Sequence, residues 1–191
     1  MKKVILSVVA VLAFAFTNAQ ETKETVKLGV KAGANYDWLS TGAASVYDLR
    51  PEVGYHAGLV AEFKFCDAFS IQPEALYSFS KYSFDGNGNT SGNEIEISEI
   101  AVPVIAKFYL VKGLSLELGP QASVIVKTKL TGEDAEANFR KYNIAAATGL
   151  AYDFNMGAFI QARYTYNFLD LQHGANGNNR FGIQASVGYK F

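Results

Sequence analysis

An all-β chain, an eight-stranded antiparallel up-and-down transmembrane β-barrel preceded by a cleaved signal peptide, is the architecture this sequence predicts. Three observations carry it. Eight segments alternate apolar and polar side chains, their connections alternate between short and long, and the last segment ends on Phe191. Alternation over about nine to eleven residues marks a strand whose two faces meet different solvents, lipid on one side and a polar lumen on the other.

The chain opens with Met1-Lys2-Lys3, an apolar run over residues 4–16, and the small-residue stretch Thr17-Asn18-Ala19. That order of cation, apolar run and small residues is an export leader cut after Ala19. Residues 1–19 are therefore read as signal peptide, 20–25 as a short periplasmic segment and 26–191 as the barrel. Position 20 is Gln, so the new terminus is not a lipoprotein acylation site. The apolar run is too short for a spanning helix, and no other stretch approaches the roughly twenty apolar residues one needs. With 17 basic and 18 acidic residues, loss of Lys2 and Lys3 leaves the mature chain at a formal −3, which argues against a nucleic-acid partner. The single cysteine, Cys66, cannot form an internal disulfide and is expected to be a buried or turn thiol.

The first strand sets Val26, Leu28, Val30, Ala32, Ala34, Tyr36 and Trp38 against Lys27, Gly29, Lys31, Gly33, Asn35 and Asp37. The second sets Val53, Tyr55, Ala57, Leu59, Ala61, Phe63 and Phe65 against Gly54, His56, Gly58, Glu62 and Lys64. A third carries Phe69, Ile71, Ala75, Tyr77 and Phe79 on one face and Ser70, Gln72, Glu74 and Ser78 on the other. In the fourth, Ile100, Val102, Val104, Ala106, Phe108 and Leu110 oppose Glu99 and Lys107. The fifth puts Leu114, Leu116, Leu118, Ala122, Val124 and Val126 opposite Ser115, Glu117, Gly119, Gln121 and Lys127. Tyr142, Ile144, Ala146, Leu150 and Tyr152 alternate with Asn143, Gly149 and Asp153 in the sixth. The seventh sets Ala158, Ile160, Ala162, Tyr164, Tyr166 and Phe168 against Gln161, Arg163, Thr165 and Asn167. The eighth has Phe181, Ile183, Ala185, Val187, Tyr189 and Phe191 on its apolar face. Its last members, Val187, Tyr189 and Phe191, form the expected C-terminal signal for the barrel-assembly machinery.

The links at 66–68, 111–113 and 154–155 are short, and those at 39–50, 85–94, 128–139 and 169–179 are long, polar and rich in Gly and Asn. Outer-membrane barrels have short periplasmic turns and long outside loops, so an even strand count puts both termini in the periplasm. Aromatics fall into two belts at the headgroup levels that rings favour. Tyr36, Trp38, Tyr55, Tyr142, Tyr166, Phe168 and Phe181 lie at the loop ends, and Phe63, Phe65, Phe69, Phe108, Tyr152, Tyr189 and Phe191 at the turn ends.

Periodicity alone does not say which face is inside, so a soluble lipocalin-type barrel is the alternative. The glycines and mixed charges of the polar face suit a crowded lumen better than a solvated exterior. In a lumen so narrow, Lys31, Glu62, Glu74, Glu99, Lys107, Glu117 and Arg163 are expected to pair across the axis as a structural plug. No metal-spacing motif and no Gly-Xaa-Ser-Xaa-Gly elbow occurs, so neither catalysis nor a cofactor is expected. A lipid-modifying barrel enzyme using His56 is the weaker alternative, and His173 belongs to no motif. The segment Asp85-Gly86-Asn87-Gly88-Asn89-Thr90 lacks the spaced acidic ligands of a calcium loop and reads as a hairpin tip. Around it Tyr82, Phe84, Ile95 and Ile97 leave the apolar phase, which suggests either a raised hairpin offering an apolar face to a partner or local bulges. Pro73, Pro103 and Pro120 cannot donate to a ladder, and bulges are expected there.

The segments GVKAGANYDWLS, GYHAGLVAEFKF, FSIQPEALYS, IAVPVIAKFYL, LSLELGPQASV, ATGLAYDF and VGYKF resemble the PorT-like outer membrane β-barrel family, across nearly all of the mature chain. That resemblance implies a small barrel of the OmpA/OmpX type, integral to the outer membrane of a Gram-negative cell, and tolerance of the strand prolines. It implies no active site. The expected partners are outer-membrane lipid, the barrel-assembly machinery during insertion, and a surface ligand or a secretion or nutrient-uptake complex.

Overall fold

The computed structural model describes residues 26–40, 49–84, 93–130, 133–134, 141–168 and 179–191. The expected signal peptide, the 20–25 segment, the 85–90 tip and His173 lie outside these residues. The strands are β1 (Val26–Ser40), β2 (Leu49–Pro51), β3 (Val53–Cys66), β4 (Phe69–Phe84), β5 (Asn93–Val111), β6 (Leu114–Leu130), β7 (Glu133–Asp134), β8 (Tyr142–Asp153), β9 (Ala158–Asn167) and β10 (Asn179–Lys190). The eight long strands pair antiparallel with their chain neighbours, and β10 returns to β1 with Trp38 opposite Phe181 and Val30 opposite Tyr189. Closure removes the free edges that an open sheet would expose.

The alternation read from the sequence becomes two environments. Val187 is 63% exposed and Leu118 54%, while Lys107, Glu117 and Gln72 are 0% exposed. A soluble carrier would show the reverse. In water, each large side chain on this wall would forgo about 1.5–3 kcal/mol of burial, and a continuous apolar surface of this extent belongs against lipid.

Short turns join the strands at one end. Gly113 (φ 87°) and Gly157 (φ 92°) occupy the left-handed conformation these turns require. Cys66 sits at the β3–β4 turn as an exposed free thiol, the turn option of the two expected. Lumen glycines make room for their neighbours: a Cβ at Gly182 would lie 2.1 Å from Asp37 Oδ1, and one at Gly33 2.8 Å from the His56 ring. Gly182→Val is expected to destabilise the barrel by about 1–3 kcal/mol through overpacking, read as a lower urea midpoint for the folded species in detergent.

The strand prolines do not sit at bulges, which corrects that expectation. The register runs unshifted past Pro73, Pro103 and Pro120, and the irregularities fall instead between Lys64 and Cys66, between Tyr109 and Val111, and in β6 opposite Ser98 and Glu99. The β6 bulge inserts Val126, so Lys127 points outward and is exposed, whereas the sequence pattern had assigned it to the lumen.

Tyr82 and Ile97 do not change phase at all. They continue the lumen side of β4 and β5, 1% exposed each, and pack with Ile95 and Ile125 inside the loop-end mouth. What changes is the outer solvent. Beyond Phe79 the outward positions become Lys81, Glu94, Glu96 and Lys129, joined as Lys81–Glu94 (2.8 Å), Lys81–Glu52 (3.6 Å) and Lys129–Glu96 (3.9 Å). Above the apolar band the wall thus becomes apolar inside and charged outside, as a sheet in water must. The long β4–β5–β6 extension is flanked by β2 against β4 and β7 against β6. These short strands cover its edges.

Candidate functional site: a lumen filled by three charge clusters

The lumen positions hold three groups of paired charges. The central one is built by β1, β4, β6 and β9. Lys31 Nζ lies 2.8 Å from Glu74, and Arg163 spans both Glu74 (2.9 Å) and Glu117 (3.0 Å), all with fully buried side chains. Gln161 donates to both oxygens of Glu117 (2.8 Å each) and accepts from Lys31 (2.7 Å), while Gln72 donates to Glu74 (2.8 Å). Two cations face two carboxylates, and the amides occupy remaining lone pairs. Such completeness is what allows charges to persist in a medium of low dielectric.

The second group lies toward the turns. Lys190 reaches Glu62 (2.5 Å) and Asp153 (2.7 Å), and Lys107 reaches Asp153 (2.8 Å). Ser70 donates to Glu62 (2.6 Å), and the Tyr109 hydroxyl sits between Glu62 and Asp153. The third group lies toward the loops, where Arg180 pairs with Glu99 (2.9 Å), Ser123 donates to Glu99 (2.9 Å), and Ser80 and Asn35 donate to Asp37 (2.6 and 3.0 Å).

The seven charges singled out from the sequence are thus distributed over all three groups. Lys31, Glu74, Glu117 and Arg163 come together, Glu62 and Lys107 share the turn-end group, and Glu99 stands in the third. Sequence reasoning missed Lys190, Arg180 and Tyr109 as partners. Arg180 and Lys190 lie on the same face of β10 as Gly182, Gln184, Ser186 and Gly188, so phase alone could have found both.

His56 is 1% exposed, with Nε2 2.8 Å from Ser186 Oγ, and its Nδ1 has no hydrogen-bond partner among the described residues. A nucleophilic pair works with a group that orients the imidazole; among the described residues His56 meets Ser186 in a buried contact. Below the turn-end group opens a vestibule of about 910 Å³, with Glu62, Tyr109, Asp153 and Lys190 at its floor and Lys27, Lys64 and Lys112 among its walls.

Outside, aromatic rings gather at both ends of the wall. Trp38 stacks on Phe181 (6.1 Å) and touches Tyr36 and Tyr164, Tyr166 meets Phe168 (5.1 Å), and Tyr55 stacks on Phe79 (5.0 Å). At the turn end Phe65, Phe69 and Phe108 form a row, Tyr152 meets Phe154, and Tyr189 meets Phe191. Phe63 lies half-buried near this end. Val187, Tyr189 and Phe191 face outward, and the Phe191 N–H donates to the Leu28 carbonyl (2.7 Å), which ties the last residue to β1.

Residues 18–173 match the family model described as outer membrane protein beta-barrel domain. Among solved structures, the fold is similar to Neisserial surface protein A, at TM-score 0.58 and 17% identity, covering 88% of this chain and all of that one. It is also similar to Ail, the attachment invasion locus protein of Yersinia pestis, crystallised with the heparin analogue sucrose octasulfate. That likeness has a TM-score of 0.55 at 14% identity and covers 87% of this chain and 99% of that one. No curated protein matches the sequence.

Proposed function

We propose that this chain, which belongs to the outer membrane protein beta-barrel domain family and is integral to the outer membrane, is a sealed barrel that acts through its loop end in surface contact, without an axial pore and without catalysis. The observation that carries this reading is the stacking of three charge clusters along the lumen, with the central one fully buried. Short turns would then face the periplasm with both termini, and the finer likeness to PorT-like barrels rests on the strand segments quoted above.

Purified protein in planar bilayers is expected to show no stable porin-sized steps at neutral pH. Regular steps of that size would overturn the plug.

Among the described residues above the apolar band, outward lysines are held by carboxylates, Lys81 between Glu52 and Glu94 and Lys129 beside Glu96. A polysulfated ligand of the kind found with Ail needs an excess of cations. Cells displaying the protein are therefore expected to bind heparin no better than vector cells, and to recognise a ligand of mixed or neutral charge instead. Binding to immobilised heparin at physiological salt checks this.

A second reading, an accessory component of a secretion or uptake complex, is favoured by the vestibule at the turn end, a concave mouth able to receive a partner segment. Crosslinking from Lys112 in intact cells, followed by mass spectrometry, separates the two. Reproducible capture of envelope-complex subunits supports the second reading, and none supports the first.

A further inference from the structure

The carboxylate side chains that line the turn-end vestibule are already held. Glu62 is paired with Lys190, Asp153 with Lys107 and Lys190, and Asp67 with Lys64 at 3.1 Å. Lys27 and Lys112 line the same mouth, both exposed, and neither has a carboxylate partner among the described residues. In the ring of long strands β1 and β6 stand opposite each other, so Lys27 at the start of β1 and Lys112 in the turn before β6 flank the opening from two sides.

An apolar lip runs between these two lysines. The Asp153 N–H donates to the Gly113 carbonyl (2.8 Å), which sets Lys112 beside Phe154. The Lys190 N–H donates to the Gly157 carbonyl (2.8 Å) and joins the β8–β9 turn to Phe191, whose own N–H on the Leu28 carbonyl brings it beside Lys27. The order along the lip is therefore Lys112, Phe154, Met156, Phe191, Lys27, with all three apolar side chains exposed and lining the vestibule. Two of them also touch the lipid-facing wall: Phe154 meets Tyr152 (4.9 Å) and Phe191 meets Tyr189 (5.5 Å). The lip is thus continuous with the turn-end aromatic row, at the level rings favour among headgroups.

Chemistry of this kind selects an amphiphile with an anionic head. Lys27, Lys64, Lys107, Lys112 and Lys190 outnumber Glu62, Asp67, Asp153 and the Phe191 terminal carboxylate, so the mouth has room for one more anion. A small soluble anion would answer the lysines and leave the exposed rings in water. An uncharged chain would cover the rings and leave the lysines unanswered. A lipid of the adjoining leaflet meets both needs, because its phosphate takes charge-assisted hydrogen bonds from ammonium groups while its chains stay in the acyl layer.

We propose that the vestibule seats the headgroup phosphate of an anionic phospholipid between Lys27 and Lys112, with the acyl chains leaving over the Phe154–Met156–Phe191 lip. The inference rests on the sealed-barrel reading of the preceding section for its closed floor. The two fail separately, because bilayer conductance reports the axis and lipid binding reports the lip.

Apart from Met1, Met156 is the one methionine in the chain, so its isotope-labelled methyl group reports on the lip by nuclear magnetic resonance. The test uses the folded protein in an uncharged detergent, titrated with short-chain lipids. Dihexanoyl phosphatidylglycerol is expected to shift the Met156 resonance saturably and to bind about tenfold more tightly than zwitterionic dihexanoyl phosphatidylcholine, the worth of one charge-assisted contact. Lys27→Gln/Lys112→Gln should bring the two lipids to equal affinity. Phe154→Ser should weaken both and keep their ratio, and Lys129→Gln, at the loop end beside Glu96, should change neither. Should the double variant fail to refold, either single lysine substitution supplies the comparison and should lower the ratio. Inorganic phosphate at the same concentration should not displace the anionic lipid; displacement would assign a free-anion site and overturn the proposal. Equal affinity of the unaltered protein for the two lipids overturns it as well, as does a ratio unchanged in every folded lysine variant.

Discussion

Arg163→Met is expected to destabilise the folded barrel by about 3–5 kcal/mol, the cost of leaving a buried charge without its partner. Arg163 spans Glu74 and Glu117. Its loss leaves Lys31 alone against two carboxylates, in side chains with no access to solvent. The measurement is the urea midpoint of the folded species, followed by heat-modifiable mobility in lipid or detergent. Arg163→Met combined with Glu117→Gln should recover most of the loss, because Lys31 and Glu74 remain paired at 2.8 Å and Gln161 can still bond a neutral side chain at position 117. A combined loss equal to the sum of the single losses would show that the central group is not a coupled unit.

Leu118→Arg is the second large effect, expected to cost about 2–4 kcal/mol, because a cation on the lipid face near mid-depth must leave water. Leu118 is 54% exposed on the outer wall, between the aromatic rows, two residues from Pro120. Val53→Arg, at the loop end of β3 and 71% exposed, should cost only about 0–1 kcal/mol, since the headgroup region tolerates charge. Equal stability of the two variants would contradict the placement of the band. A gain from Leu118→Arg would point to a wall that faces water.

The depth of charge tolerance connects to a property visible along β4 and β5. Side chains there keep one phase from end to end, yet the apolar face moves from outside to inside beyond Phe79, where Lys81 and Glu94 take over the outer positions. Read as letters, Tyr82, Ile95 and Ile97 look like a slip of register. In three dimensions they cover the loop-end mouth, and the surrounding medium is what has switched. A sequence pattern reports which residues share a face, and it does not report what that face touches.

The same distinction explains which charges were legible. Lys31, Glu74, Glu117 and Arg163 could be assigned to the lumen by alternation, because a period of two is a property of the extended chain itself. That Arg163 would hold Glu74 and Glu117 together, from strands 89 and 46 residues away in sequence, depends on how far each strand is staggered in the closed cylinder. Lys127 was misplaced for the converse reason: an inserted Val126 reverses the phase beyond it, and nothing in the alternation of a single strand announces where its neighbour skips a partner.

Strand number, the alternation of turns and loops, and the split between greasy and polar faces were all written in the order of residues, because each follows from local geometry and from solvent preference along one strand. Pairing was not. Which carboxylate meets which cation, that Pro73, Pro103 and Pro120 fall on one level in three adjoining seams, and that His56 ends against Ser186 all follow from inter-strand stagger. Stagger is a collective outcome of closing eight strands into one ring, set by every seam at once rather than by any segment alone.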